Sequence, residues 1–224
     1  MELREYLSVR RAYNLVRQKT EAEKRLTFEE FAILCRLDMA SEPVKTSEIA
    51  SYQGALRPTM THRTNHLATL GFIERGEGVN DRRNIECKIS EEGREYVRAL
   101  SQATYAQIPA GQPLARTPKD RLRRYVDAMG SVYCTAGQLI LVTILANENE
   151  RNTVTSLVDN LGFLQPTISM SIATLADKGL VVRAHTEGVG ARSHDIKLTD
   201  EGRAEALTVA DKIAAIVVHR KARS

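Results

Sequence analysis

One pattern occurs twice in this chain, as Leu67-Ala-Thr-Leu-Gly71-Phe-Ile-Glu-Arg75 and again as Leu175-Ala-Asp-Lys-Gly179-Leu-Val-Val-Arg183. Each occurrence has the form of a helix end, a glycine that stops the helix and the start of a strand. A period of 108 residues exceeds the roughly 20–50 residues of stacked repeats and indicates a whole domain present twice. The superposition extends outward and includes Thr27 on Thr135, Gly54 on Gly162 and Pro58 on Pro166.

The length of 224 residues suffices for two domains of about 100 residues, each with its own core. Segment 108–118 contains three prolines and a glycine, which is typical of a linker. We therefore predict a first domain at 1–107, a linker at 108–118 and a second domain at 119–224.

The composition is that of an ordinary globular protein, with 42% hydrophobic and 27% charged residues and a net charge of +4. This charge permits binding to nucleic acid but does not require it. The apolar run 139–146 is much shorter than the roughly 20 residues of a membrane helix. The N-terminus lacks the apolar centre of a signal peptide. We expect a cytoplasmic protein with no membrane association.

The sequence gives little support to catalysis, cofactor binding or metal binding. Cys35, Cys87 and Cys134 form no CxxC pair, and small core residues are the favoured interpretation. His62 and His66 are four residues apart, but the glutamate of an HExxH site is absent. Phosphate-binding loops and GxSxG elbows are also absent from the sequence. We predict that the protein is not an enzyme and has no cofactor.

Each half has the local signals of the same series of elements. Amphipathic helices are predicted at 2–25 and 119–133, and capping boxes at Thr27–Glu30 and Thr135–Gln138 open an apolar helix in each half. Two short helices around a glycine then form a helix-turn-helix, at 46–53 and 58–70 and again at 154–161 and 166–178. A hairpin with a charged tip follows in each half, and Ser90 and Thr199 are expected to cap closing helices at 91–106 and 200–218.

This series resembles the MarR family of bacterial transcription regulators, which are winged helix-turn-helix proteins. The resemblance is carried by the two quoted patterns, by Asp81-Arg82-Arg83, and by Ile89-Ser-Glu-Glu-Gly93 and Leu198-Thr-Asp-Glu-Gly202. The second half keeps Arg192 but has Gly190 where the first has Asp81, so its wing departs from the family pattern. The resemblance implies a mainly α fold with small β wings. It also implies two tandem winged domains whose flanking dimerisation-type helices form an intrachain pseudo-dimer.

The same resemblance implies that the second helix of each helix-turn-helix enters the major groove of double-stranded DNA. Helical spacing puts Met60, Thr64 and Leu67 on the buried side of the first of these helices and Pro58, Thr61, His62, Asn65 and Thr69 on the opposite side. The predicted contacts of the first half are Arg57, Thr59, Thr61, His62, Asn65, His66, Arg82 and Arg83, with Asp81 supporting the wing. Those of the second half are Gln165, Thr167, Ser169, Thr174, Arg192 and His194.

The favoured function is therefore a transcriptional regulator, a repressor by preference, that reads an imperfect inverted repeat as a monomeric pseudo-dimer or as a homodimer of it. The family also suggests a small aromatic effector, but core packing is the favoured interpretation of Tyr6, Tyr13, Tyr125 and Tyr133, since aromatic residues at helical spacing are more often core than ligand site. Two alternatives remain open. One is a plasmid replication initiator with tandem winged helices, and the other is a winged-helix adaptor for protein–protein contact.

Overall fold

The computed structural model describes residues 1–78, 85–112, 114, 121–185 and 194–218, with backbone only at positions 185 and 194. Its α-helices are α1 (Leu3–Lys19), α2 (Phe28–Met39), α3 (Thr46–Tyr52), α4 (Arg57–Thr69), α5 (Glu91–Ala106), α6 (Leu122–Met129), α7 (Ala136–Ala146), α8 (Val154–Leu161), α9 (Gln165–Asp177) and α10 (Asp200–Ala214). Its strands are β1 (Val44–Lys45), β2 (Ile73–Glu77), β3 (Ile85–Ile89), β4 (Val181–His185) and β5 (His194–Leu198). A 3₁₀ turn occupies Ala22–Lys24.

The order helix, helix-turn-helix, hairpin, helix occurs over residues 27–106, here called the first segment, and over 135–214, the second segment. Both predicted capping boxes are confirmed. Thr27 accepts a hydrogen bond from the Glu30 amide, and the Glu30 carboxylate accepts one from the Thr27 amide at 2.7 Å. Thr135 and Gln138 repeat this arrangement. These reciprocal bonds satisfy amides that a helix start leaves without internal partners.

The closing helices also begin where the sequence predicts. The Ser90 hydroxyl accepts a hydrogen bond from the Gly93 amide at 3.0 Å, and Thr199 does the same for Gly202. The lengths of three helices differ from the prediction. Helix α1 ends at Lys19 instead of 25, and α10 ends at Ala214 instead of 218. Helix α6 is Leu122–Met129, whereas the prediction is 119–133, of which residues 119 and 120 lie outside the described residues.

The chain divides into two compact units whose composition differs from the predicted domains 1–107 and 119–224. Unit I consists of Met1–Leu15 and Cys134–Ala215, and unit II consists of Val16–Tyr133 and Ile216–Ser224. The second segment is therefore grouped with the start of α1, which the sequence assigns to the first half. The first segment is grouped with α6, which the sequence assigns to the second half. Local pattern could not show this, because it depends on contacts far apart in the chain.

In unit II, α6 is attached to the first segment by charged and aromatic contacts. The Asp38 carboxylate on α2 is buried and binds two guanidinium groups, Arg94 on α5 at 3.5 Å and Arg123 on α6. The Arg36 guanidinium lies 3.7 Å from the centre of the Tyr52 ring and 3.4 Å from the Asp127 carboxylate on α6. Contacts of this kind are directional and fix the orientation of α6 on the segment.

The sheet of unit II contains a strand that the sequence analysis did not predict. Strand β1 pairs antiparallel with β3, Val44 opposite Cys87, and β3 pairs with β2, Arg75 opposite Cys87. In unit I, β4 and β5 form a two-stranded sheet. There, the main-chain N–H of Asn152 instead donates to the Asp195 carboxylate at 3.0 Å, and the main-chain carbonyl of Asn152 accepts from the Ile196 N–H at 2.7 Å. A side chain thus takes part of the role that a strand has in unit II.

In unit I, α1 closes the carboxyl end of α8. The Arg11 guanidinium donates to the Asp159 carbonyl at 2.6 Å, and the Asn14 amide donates to the Leu161 carbonyl at 2.8 Å. The last carbonyls of a helix have no partner within it, so these two donors satisfy groups that the turn would otherwise leave to water. The turn itself is made by Gly162, whose φ of 64° is left-handed.

Candidate nucleic-acid interface

Helix α4 presents its polar side to solvent. Met60, Thr64 and Leu67 are fully buried, which confirms the predicted inner side. The buried Thr64 hydroxyl donates to the Met60 carbonyl at 3.0 Å, so it needs no partner from another element. The exposed side chains of this helix include Arg57, Pro58, Thr59, Thr61, His62, Asn65 and Thr69. The predicted contact residues Thr59, Thr61, His62 and Asn65 therefore share one accessible surface, and their contact with DNA remains a prediction.

His66 is placed differently from its neighbours. Its side chain is about a third exposed, and Nδ1 lies 2.7 Å from the buried Glu30 carboxylate. Glu30 is the same residue that completes the capping box of α2. One nitrogen of His66 is thus bound within the domain, and this residue orients α4 on α2. Only its other ring nitrogen is left for a role in recognition.

A cleft of about 190 Å³ lies between the helix-turn-helix and the hairpin of unit II. Two guanidinium groups, Arg57 and Arg75, line it together with the hydroxyl groups of Thr46, Ser47 and Thr61. The Nε of Arg75 is buried and has no hydrogen-bond partner among the residues that the structure describes. Guanidinium and hydroxyl groups are the donors that bind phosphate oxygens in proteins, and the Thr46 hydroxyl of this cleft already donates to the Ile85 carbonyl at 3.0 Å.

Arg75 was missed as a site residue by the sequence analysis. It was quoted only as part of the repeated pattern, because its position at the end of the motif indicates a strand and no particular chemistry. The pairing of Arg75 with Cys87 across the hairpin places it beside the entrance of α4. That placement depends on strand register, which a sequence alone does not fix.

Helix α9 has a different outer surface from α4. Ile168, Ile172 and Leu175 are buried and form its inner side. The predicted contact residues Gln165, Thr167 and Thr174 are exposed, and Ser169 is half-buried. The large side chain at the centre of the outer side is Met170, which is 71% exposed. The Thr174 hydroxyl donates to the Met170 carbonyl at 3.0 Å.

The residues that line the two-arginine cleft are only partly repeated in the second segment. At the position of Arg57 it has Gln165, and at the position of Thr46 it has Val154. Arg183, which corresponds to Arg75, is exposed. One guanidinium and one hydroxyl group of the cleft in unit II therefore have no counterpart at these positions.

The hairpins that precede the predicted wing tips are present in both segments. Strands β2 and β3 pair from Ile73–Ile89 to Glu77–Ile85, and β4 and β5 pair from Val181–Leu198 to His185–His194. His194 is the first residue of β5. The predicted tip residues Asp81, Arg82, Arg83 and Arg192 lie outside the described residues.

The tyrosines that the sequence analysis considered for an effector site divide between core and surface. Tyr6 and Tyr13 are buried core residues of α1, whereas Tyr133 is exposed. A cleft of about 520 Å³ in unit I lies between the loop after α7, β5 and α10. It is lined largely by polar residues, and Arg203 binds Glu148 there at 2.5 Å. This lining does not resemble a site for an aromatic molecule, and the effector remains a prediction.

The cysteines and the acidic residues offer no second site. Cys35, Cys87 and Cys134 are buried and form no disulfide, and burial raises the pKa of the Cys35 thiol well above its usual value. Within the described ranges, His, Cys, Asp and Glu side chains nowhere gather in a group of three or more suited to a metal. Over the same ranges, no helix combines the length and apolarity needed to cross a bilayer.

Comparison with known proteins finds a family model that matches part of the chain. Residues 26–85 match the model of the MarR family, which spans α2 to the hairpin and includes the whole helix-turn-helix. This part of the chain is a MarR family domain. No curated protein matches the chain.

Several solved structures are similar to parts of the chain at low sequence identity. The YusO protein from Bacillus subtilis is 22% identical over 42% of this chain and 63% of its own, less than two thirds of its length, with a TM-score of 0.37. The transcriptional regulator BldR from Sulfolobus solfataricus is 17% identical over 49% of this chain and 77% of its own, with a TM-score of 0.37. CouR from Rhodococcus jostii RHA1, solved with p-coumaroyl-CoA, is 19% identical over 57% of this chain and 85% of its own, with a TM-score of 0.35.

Proposed function

We propose that this protein is a sequence-specific regulator of transcription that binds double-stranded DNA through α4 and α9. The observation that carries the proposal is the outer surface of α4, where Thr61, His62 and Asn65 are exposed side by side in a MarR family domain. A helix that only packs on a core has no need of such a row. Asparagine can pair with the N6 and N7 groups of adenine, and threonine and histidine can reach bases or phosphates.

The cleft beside α4 supports contact with the DNA backbone. Phosphate contacts position a protein on the duplex, while base contacts give specificity. Arg57 and Arg75 would hold a phosphate at the entrance of α4, and His62 and Asn65 would then face base edges. The wing arginines Arg82, Arg83 and Arg192 are proposed to enter the minor groove, with Asp81 supporting the first wing.

The two segments are proposed to be a duplicated domain that acts as a pseudo-dimer. Both segments have the same order of helices and hairpin and the same caps on their first and last helices, and α6 and most of α1 belong to the compact unit of the opposite segment. An exchange of leading helices is typical of two subunits that assemble by swapping an element, here joined in one polypeptide. A single chain would then read an imperfect inverted repeat whose half-sites are about 34–36 Å apart.

The proposal includes repression as the effect on transcription and a small aromatic molecule as the effector. A bound protein at an operator excludes polymerase, and a ligand that favours the free conformation would release it. The family resemblance of residues 26–85 supports this part. A second copy of the chain could further pair with the first.

Selection of bound fragments from a random DNA library, with the full chain, tests the function. The expected result is a two-part asymmetric site of about 20 base pairs with affinity that falls steeply as salt rises. Asn65→Ala is expected to weaken binding by about 1–3 kcal/mol and to relax selectivity at one base pair. Arg98→Ala on α5, which removes an exposed charge outside the helix-turn-helix, serves as the control.

Other outcomes of the selection would contradict the regulator. Enrichment of tandem direct repeats together with origin melting would identify a replication initiator. Failure to enrich any DNA, with and without aromatic acids or acyl-CoA compounds added, would favour an adaptor between proteins.

A further inference from the structure

The outer side of α9 has an apolar stripe. Pro166, Met170 and Ala173 are exposed and lie within about 60° of one another around the helix axis. The core below is complete without them, since Ile168, Ile172 and Leu175 fill the inner side and are buried. Met170 therefore contributes little to the fold, and its exposed thioether chain is available to another molecule.

The polar groups around this stripe do not make it a hydrogen-bonding surface. The Thr174 hydroxyl donates its hydrogen to the Met170 carbonyl, so its methyl group and an oxygen that can only accept are left for external contact. Gln165 and Thr167 are exposed, but both stand in the first turn. At the positions that correspond to Met170 and Ala173, the first segment has His62 and Asn65. The central part of the stripe has thus replaced two hydrogen-bonding side chains by two that cannot form such bonds.

Helices α4 and α9 begin with the same backbone geometry, so they differ in their exposed side chains and not in how the chain enters them. The residues before them, Leu56 and Leu164, have the same extended backbone, with ψ of 148° and 145°, and each helix has proline in its first turn. Both leucines are exposed. If the first turns of α4 bind in a major groove, then the corresponding turns of α9 are expected to bind in another major groove.

We infer that α9 recognises the 5-methyl groups of thymine through Met170 and Ala173, whereas α4 reads hydrogen-bonding edges. This inference rests on the proposed function. The thymine methyl is the apolar group that the major groove offers, and apolar side chains contact it. Met170 is the one large side chain of the exposed stripe, and the stripe is bordered by Gln165, Thr167 and Thr174. Such a surface is far smaller than the roughly 800 Å² that each partner of a stable protein complex buries.

Replacement of thymine by uracil in one half-site at a time tests the inference, because uracil keeps every hydrogen-bonding group and lacks only the methyl. With the full chain and its selected operator, uracil in one half is expected to weaken binding about fourfold for each methyl contacted, as for burial of one methyl-sized group. Uracil in the other half is expected to have no such effect. Met170→Ala should lower the sensitivity to uracil, because only the Ala173 contact remains, and Arg98→Ala, which changes an exposed residue outside both helix-turn-helix motifs, should preserve it.

Three outcomes would overturn the inference. Specific DNA binding that is indifferent to uracil in both halves would reject thymine reading but leave the proposed function intact. Unchanged uracil sensitivity in Met170→Ala would show that other residues read the methyl groups. A full chain that binds no specific DNA would reject the inference and the proposed function together. Met170 is exposed, so its loss is not expected to disturb folding, and the thermal midpoint of the variant checks this.

Discussion

The side-chain amide of Asn14 donates a hydrogen bond of 2.8 Å to the main-chain carbonyl of Leu161, the last residue of α8. Both residues are buried, so water cannot replace either partner. Asn14→Ala is expected to lower the free energy of unfolding by about 1–3 kcal/mol, the cost of an unsatisfied buried carbonyl. Urea denaturation monitored by circular dichroism measures this.

Asn14→Asp provides a sharper form of the same test. A carboxylate would face the Leu161 carbonyl and the negative end of α8, so burial should raise its pKa above the usual value of about 3.9. Its protonated form can still donate to the carbonyl. The variant should therefore be most stable at low pH relative to Asn14→Ala and lose stability as the pH rises through the folded pKa. Equal pH profiles for the two variants would show that the hydrogen bond contributes little.

Gly54 and Gly162 occupy corresponding positions in the two segments. Comparing their alanine variants separates the cost of backbone strain from the cost of steric crowding. Both have left-handed backbone, with φ of 64° and 58°. A Cβ on Gly54 would meet nothing within 4 Å, whereas one on Gly162 would lie 2.8 Å from the Arg11 carbonyl oxygen. Gly54→Ala is expected to cost about 1–2 kcal/mol from conformation alone. Gly162→Ala should cost about 1–3 kcal/mol more because α1 must move.

The relevant measurement is the difference in unfolding free energy between the two glycine variants. A difference near zero would mean that α1 shifts at no cost, contrary to the contacts of Arg11 and Asn14. Proteolysis of α1 should also become faster in Gly162→Ala only.

Two tyrosines should make stability depend on alkaline pH. Burial raises the pKa of Tyr52, and the nearby Asp127 carboxylate raises it further, while Arg36 opposes them. Burial also raises the pKa of Tyr96, whose hydroxyl donates to the Lys24 carbonyl at 2.7 Å. Because each folded pKa lies above the unfolded value of about 10, their contribution is complete below that pH and declines as the pH rises through the folded pKa.

Urea unfolding at a series of pH values from neutral to strongly alkaline measures this decline. The double variant Tyr52→Phe, Tyr96→Phe should show a shallower decline than the parent, although it is less stable at neutral pH. A parallel decline in both proteins would assign the effect to another group, such as the buried Cys35 thiol, whose pKa is also raised by burial.

Arg75 should affect the salt dependence of DNA binding and not its selectivity. If its guanidinium contacts one phosphate, Arg75→Gln is expected to reduce the slope of log affinity against log salt by about 0.9. Arg183→Gln, at the corresponding position of the second segment, removes the same charge from a residue outside such a cleft and should change the slope less. A change in preferred base with an unchanged slope would instead assign Arg75 to base recognition.

The parts of the fold that depend on local sequence were predictable. The capping boxes, the glycine stops and α5 at Glu91–Ala106 follow from residues within a few positions of one another. The inner side of α4 follows from helical spacing. The short strand β1 was not predictable, because two residues have no pattern and its pairing with β3 is set by the fold.

Non-local placement limited the prediction of the candidate site. The spacing of α4 identified Asn65 and His62 as exposed, but it could not show that His66 binds Glu30 or that Arg75 shares a cleft with Arg57. The predicted first domain includes α1, because a sequence pattern shows that a helix is amphipathic but does not show which surface the helix covers. The contacts of Arg11 and Asn14 decide that question.

The packing of α1 in unit I has a consequence for biosynthesis. Residues up to Leu15 leave the ribosome before the whole of Val16–Tyr133, yet their partners, including Asp159 and Leu161, are translated only afterwards. Arg11 and Asn14 therefore lack their native hydrogen-bond partners while the first segment is being translated. Nascent chains stalled before α8 are the species for which a chaperone that shields this helix would matter most.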